Sequence, residues 1–287
     1  MRQWLIDAFT TRPFCGNQAA VLEPLAAWPA DGWMQALAAE NKVGATAFLL
    51  RSAEPGRFEL RWFTPTTEVP LCGHATLAAA HLLFAELGSD AAELRFETMS
   101  GRLSVRRAPT GYELALPAMT PRRVDTPAGL GEALGAEPLE VWVGNYLVAL
   151  MDSVQTVAAL TPDHAGLEAI SRPLGGQGNV GVAALTGAAA GVDVVDRFFA
   201  PGYGIPEDPA TGSFHCLLMP ILAARLGARP LSFHQAFPGR GAELTARMQG
   251  DQVLIHGAAV TIAEAVLRPV GRPSGVVIAP PSSLLNW

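Results

Sequence analysis

One unusual pattern is written twice in this chain, and the repeat constrains the fold more than any other feature. The first copy is Glu68-Val69-Pro70-Leu71-Cys72-Gly73-His74, followed by an apolar run that closes at Leu87-Gly88. The second is Glu207-Asp208-Pro209-Ala210-Thr211-Gly212-Ser213, followed by an apolar run that closes at Leu226-Gly227. Both fit Glu-x-Pro-x-x-Gly-polar, with a second glycine at the same spacing beyond the first. Each has an upstream partner, Arg61-Trp62-Phe63-Thr64-Pro65 and Arg197-Phe198-Phe199-Ala200-Pro201. The copies are separated by nearly half of the 287 residues. Such a duplication predicts two halves built alike, with the chemistry at the two glycine turns that open the two apolar helices.

Local patterns supply the rest of each half. Short apolar or alternating segments such as Trp4–Phe9, Ala45–Arg51, Phe58–Thr64, Val180–Leu185 and Val192–Phe199 read as strands. The run from Gly73 or His74 to Leu87 reads as a helix ended by Gly88, and Ser213 to Leu226 as one ended by Gly227. A helix that is apolar on every side must be buried on every side. Strands wrapped around a central helix meet that demand. The expected architecture is therefore α+β, with two half-barrels of mostly antiparallel sheet, each around one apolar helix. Residues 117–127 hold three prolines and form the best boundary, giving halves 1–117 and 118–270. The tail 271–287 is expected to return to the first half.

Composition narrows the function. Apolar residues make up 49% and charged residues only 16%, so the chain can bury a substantial core and disorder is excluded. A net charge of −6 with no basic run argues against nucleic acid as a partner. No stretch approaches ~18 uninterrupted apolar residues, so no membrane helix is expected. Asp7 interrupts any apolar leader, so no signal peptide is expected. Cys15, Cys72 and Cys216 are odd in number and form no C-x-x-C pair, which fits reduced thiols in the cytoplasm. No Cys/His cluster or H-E-x-x-H motif is present, so no metal is expected. Gly175-Gly176-Gln177-Gly178-Asn179 is glycine-rich but lacks a strand–turn–helix frame, and reads as a mobile loop.

The glycine turns carry the chemistry. A helix N-terminus offers unpaired N–H groups and a partial positive charge, and a glycine there lets a ligand approach the backbone. Two such termini facing one cleft suit a small carboxylate. His74 and Ser213 follow the two glycines, and Asp208 lies on the loop leading into the second. Each has a plain structural alternative: Ser213 as an N-cap, His74 as a capping or satisfied core residue, and Asp208 as a loop bridge. His81, on the face of His74, reads as a buried hydrogen-bonded histidine, and His215 as facing away from Ser213.

These motifs, together with Asp7-Ala8-Phe9-Thr10, Gly16-Asn17-Gln18-Ala19-Ala20-Val21 and Phe63-Thr64-Pro65, carry a resemblance. The chain resembles the phenazine-biosynthesis F-type (PhzF-like) family within the diaminopimelate epimerase-like fold. The resemblance implies a homodimer of paired half-barrels. It also implies cofactor-independent isomerisation of small amino-acid-like molecules by moving a proton, in a biosynthetic setting. It places His74, Asp208 and Ser213 at the active site, Gly73 and Gly212 as backbone donors, and Asn17, Cys72 and Ala45 among the binding residues. Where the family usually carries Ser-Glu-Thr before a Phe, this chain reads Gly44-Ala45-Thr46-Ala47-Phe48. Ala45 stands in the place of the general acid/base, and a methyl group carries no proton. Asp208 and His74 are the leading substitutes. The alternative is a carboxylate-binding protein that lost its catalytic group.

Overall fold

A computed structural model of the chain describes residues 1–187 and 191–268. Seventeen strands of these residues are joined by hydrogen bonds into one continuous sheet. The pairing order within it is the same twice over. In the first half, Arg2–Ala8 pairs antiparallel with Asn17–Leu22, which lies parallel to Ala45–Arg51. The next pairing is antiparallel, to Arg57–Phe63, and the next parallel, to Glu93–Thr98. Two antiparallel steps follow, to Gly101–Ala108 and Gly111–Pro117. The second half repeats this order through Glu140–Val143, Leu147–Leu150, Val180–Leu185, Val194–Phe199, Leu231–Gln235, Ala242–Gln249 and Gln252–Gly257.

In each half the second parallel step is bridged by a central helix, Gly73–His81 or Gly212–Leu226. A parallel neighbour cannot be reached by a tight turn, so the chain must cross over, and here the crossover is the buried helix. Gly73 to Ala80 are all buried, as are Gly212 to Met219. The first helix continues past His81 as a wider π-helical turn over Leu82–Glu86, which turns Leu82, Leu83 and Phe84 all into the core. His81 is hydrogen-bonded as expected, with Nδ1 2.9 Å from the Tyr112 hydroxyl and Nε2 3.0 Å from Thr261 Oγ1.

Pro220 sits inside the second helix. It has no N–H, so the Cys216 carbonyl loses its helical donor. The N–H of Met119 takes that carbonyl instead, at 2.9 Å. The proline-rich segment after Pro117 is thereby tied to the centre of the second half. It also contains a short strand, Arg122–Val124, on the edge of Glu140–Val143.

The halves are sewn together. Gly111–Pro117 pairs with Gln252–Gly257, and Ala259–Val266 runs antiparallel along Arg2–Ala8. Ala259–Val266 stands beside the first strand of the first half as Arg122–Val124 stands beside the first strand of the second. The largest apolar cluster takes residues from both central helices. The expected return of the tail 271–287 lies outside the described residues. Among the described residues, no helix is long and apolar enough to cross a membrane.

Candidate active site

The duplicated motif builds the same scaffold twice. Arg61 donates to both carboxylate oxygens of Glu68, each at 2.7 Å. Arg197 grips Glu207 the same way, at 2.8 and 2.9 Å. Phe63 is the strand partner of Glu68, and Phe199 bridges to Glu207. Each guanidinium also lies over the phenylalanine two residues on, 5.2 Å from Phe63 and 4.8 Å from Phe199. The motif glutamates are therefore clamps that fold the loop back towards its helix. A bidentate arginine–carboxylate pair fixes angle as well as distance.

The loops deliver the two helix N-termini to one point. Cys72 and Thr211, aligned by the repeat, precede the helices with similar backbone angles. Their carbonyls take equivalent side-chain donors four residues on, Thr76 Oγ1 at 2.7 Å and His215 Nδ1 at 2.9 Å. A Cβ on Gly73 would stand 3.3 Å from the Gly212 Cα, and a Cβ on Gly212 3.5 Å from the Gly73 Cα. The helices meet backbone to backbone, and a methyl group on Gly73 would press on the Gly212 backbone and push the two helix ends slightly apart. Ser213 does not cap its helix, which already starts at Gly212.

Around this contact lies a polar cluster. Asn17 is 2% exposed at the start of its strand, and its Nδ2 points at Asp208 Oδ1 (2.7 Å) and the Ala210 carbonyl (3.0 Å). Both are acceptors, which fixes the amide orientation. The same nitrogen is 3.3 Å from His74 Nδ1. The two protons of that nitrogen go to Asp208 and Ala210, so its contact with Nδ1 brings the imidazole against the cluster without setting its tautomer. Burial pushes the His74 pKa down to about 4, against the opposing pull of the Gln18 carbonyl. Cys72 Sγ lies 3.5 Å from the same Nδ1, and burial pushes the thiol up to about 12.

Asp208 is half-buried, and burial pushes its pKa up to about 6. Donation from Thr211 Oγ1 to Oδ2 (2.6 Å) and from Asn17 limits the rise, while the neighbouring Glu207 charge adds to it. The order of basicity is thus inverted, with a carboxylate that holds its proton more tightly than an imidazole. Gln235 locks the loop from behind. Its Nε2 donates to the Asp208 carbonyl (2.8 Å) and to Thr211 Oγ1 (3.1 Å), and its Oε1 accepts from the Thr211 N–H (2.8 Å).

Gly44 lies against the cluster. A Cβ there would come within 2.8 Å of Asn17 Oδ1 and 3.2 Å of His74 Nε2. Ala45 is 1% exposed and packs in the apolar core with Ala19, its strand partner.

Ser213 opens a second polar chain. Its Oγ is 2.9 Å from the Tyr146 hydroxyl, which is 3.0 Å from the Tyr203 hydroxyl. Tyr203 reaches Gln177 Oε1 at 3.5 Å. The segment 175–179, expected as a mobile loop, is a hydrogen-bonded turn: Gly176 N donates to the Ser171 carbonyl and Ser171 Oγ to the Asn179 carbonyl. The sequence reading missed Tyr146, Tyr203, Thr211 and Gln235. The chain has three tyrosines, and two of them lie on this hydroxyl chain, Tyr146 against Ser213 and Tyr203 against Tyr146, a pairing that no local pattern in the sequence announces. His215, as expected, faces away, 3.3 Å from the fully buried Asp196. Asp7 serves the cluster indirectly. Buried at 0% exposure, it accepts from Phe14 N (2.7 Å) and from Arg240 (2.6 Å), which also donates to the carbonyls of Cys15 and Gly16. The turn that leads into Asn17 is so fastened to the second half.

A family model described as "Phenazine biosynthesis-like protein" (PhzC-PhzF) matches residues 6–265. An uncharacterized isomerase of Pseudomonas aeruginosa is 42% identical over 264 residues, covering 92% of this chain and 97% of the relative. The crystal structure of a PhzF-family phenazine biosynthesis protein from Enterococcus faecalis is 36% identical, with a TM-score of 0.84 over 93% of this chain and 99% of that one. A hydroxyproline epimerase of Agrobacterium vitis shares the fold alone, at 15% identity and a TM-score of 0.57, covering 92% of this chain and 91% of its own.

Proposed function

The chain belongs to the phenazine biosynthesis-like PhzC-PhzF family, and from that premise we propose that it is a cofactor-independent isomerase that moves a proton on a small carboxylate-bearing amino or imino acid. The observation that carries this reading is the junction of Asp208 and His74 through one Asn17 nitrogen, beside the meeting of two helix N-termini. At neutral pH Asp208 is ionised and His74 neutral. The Asp208 carboxylate takes the proton from the carbon beside the substrate carboxylate. The electron pair left behind spreads into that carboxylate. Ser213 and the N–H groups at Gly73 and Gly212 stabilise the added negative charge, because fixed donors in a dry site need no reorganisation. The proton held by Asp208 then returns to another carbon or to the other face. His74 supplies the second proton site. Burial disfavours its imidazolium, so a proton placed there is readily given up.

The same reading takes the protein as a cytoplasmic homodimer in a biosynthetic pathway. It divides the chain into halves 1–117 and 118–270, and the last strand of the second, Ala259–Val266, runs along the first strand of the first.

The test is mass spectrometry of a panel of small amino, imino and dienoic acids incubated with the protein in D₂O. One compound should gain deuterium, and Asp208→Ala and His74→Ala should each abolish the gain while leaving the protein folded. Ala45 favours a second reading, a carboxylate-binding protein without turnover, since no acid or base stands at that position. Binding without deuterium in any compound would select it, and Ala45→Glu would then be expected to create exchange from nothing.

A further inference from the structure

Ser213, Tyr146 and Tyr203 form three hydroxyls in series, and their proton count has a consequence for the ligand. Each hydroxyl has one proton to donate. The two links between them, at 2.9 and 3.0 Å, consume two protons. Among the described residues the Tyr146 hydroxyl has no acceptor besides these two neighbours, so its own proton is spent inside the chain and the third leaves at one end. It goes either from Tyr203 to Gln177 Oε1 or from Ser213 towards the ligand position at the helix terminus. The Gln177 end is poor, at 3.5 Å and on an exposed side chain that water can serve. The Ser213 end is 8% exposed, so water has little access. An acceptor arriving beside Ser213 therefore draws all three protons towards itself. Each donated hydrogen bond strengthens the next in such a chain.

We infer that Tyr146 and Tyr203 are positioning residues that turn the Ser213 hydroxyl into a donor and so select an anionic carboxylate over a neutral group of the same shape. This rests on the proposed placement of a substrate carboxylate at Ser213. Tyr146 is 4% exposed and held edge-on by Phe198 at 4.9 Å between ring centres, so its hydroxyl has one address. Burial raises the pKa of both phenols, which keeps their protons in place for sharing at neutral pH. Tyr203 is 40% exposed on the turn Pro201–Tyr203, between the Arg197 strand and the Asp208 loop. It carries the chain to the surface.

The experiment uses trifluoroacetate and its neutral counterpart trifluoroacetamide, titrated into the full chain by fluorine NMR in buffer free of other carboxylates. The ratio of the two affinities is the readout, because a loosened pocket would weaken both together. The wild type should favour the anion. Tyr146→Phe should lower that preference about tenfold, the scale of a hydrogen bond to a charged group. Tyr203→Phe should lower it less, about threefold, and because its ring is surface-exposed it carries the test if Tyr146→Phe does not fold. Tyr112→Phe removes a phenol bonded to His81 at the other end of the first central helix and should leave the ratio unchanged. No anion preference in the wild type, or a preference that survives in both Tyr146→Phe and Tyr203→Phe, overturns the inference. If that result came with deuterium incorporation by the wild type, the isomerase reading would stand without it. Loss of the preference with no incorporation anywhere would leave the inference standing and remove the isomerase.

Discussion

Asp208→Asn separates the chemistry of this site from its stability. In the folded protein burial raises the Asp208 pKa to about 6, against about 3.9 in an unfolded chain. The native state therefore holds a proton that the unfolded state has lost between those two values. Stability contributed by the protonated form is complete below about pH 4 and lost as pH rises through about 6, then flat above. A shift of this size corresponds to about 3 kcal/mol at most, and the partial exposure of Asp208 at the cleft reduces it to about 1–2 kcal/mol. Asparagine does not titrate. It keeps the acceptor for Asn17 and disturbs the Thr211 bond at every pH alike. The informative quantity is therefore a double difference, the stability of Asp208→Asn minus wild type at pH 7.5, less the same difference at pH 4.5. Urea unfolding at the two pH values should give about +1–2 kcal/mol in favour of the variant at the higher pH. The variant should also lose all deuterium exchange. A double difference of zero or below would refute the reasoning, since Asp208 would then be an ordinary solvated carboxylate with no inverted order relative to His74.

Other expectations follow from the same geometry. The rate of substrate deuterium exchange should climb with pH to a plateau, with its midpoint near 6 where Asp208 ionises, and a midpoint near 4 in the exchange profile would assign the base to His74 instead. Arg240→Ala strands the fully buried Asp7 carboxylate and releases the Cys15 and Gly16 carbonyls, so urea unfolding should show a loss of about 3–5 kcal/mol. A loss under about 1 kcal/mol would mean that Phe14 N alone satisfies Asp7. Gly73→Ala sets a methyl 3.3 Å from the Gly212 Cα, and it should cut exchange at least tenfold with a smaller effect on thermal stability. Wild-type exchange in that variant would show that the helix contact does not shape the site.

The repeat was legible because chemistry forced both copies to keep the same letters. Glu68 and Glu207 clamp to their upstream arginines, and Gly73 and Gly212 let the two helix ends meet backbone to backbone. The all-apolar runs announced helices buried on every side. The short range of strand and turn signals gave most strands, although the sequence placed helix ends and the 175–179 turn less well. A π-helical turn or a hydrogen-bonded glycine loop depends on neighbours that local pattern does not contain.

What the sequence determined by itself is the local grammar: two halves, two buried helices, and glycine turns flanked by His74, Asp208 and Ser213. Only the tertiary structure decided who meets whom. Asn17 reaches Asp208 across 191 residues, Arg240 fastens Asp7 from the other half, and Met119 takes the carbonyl that Pro220 frees. Tyr146 joins Ser213 across 67 residues, at a distance over which no periodicity carries information. The inverted proton affinities of Asp208 and His74 also belong to the fold. They arise from desolvation, which is a property of the packed surroundings and not of any residue alone.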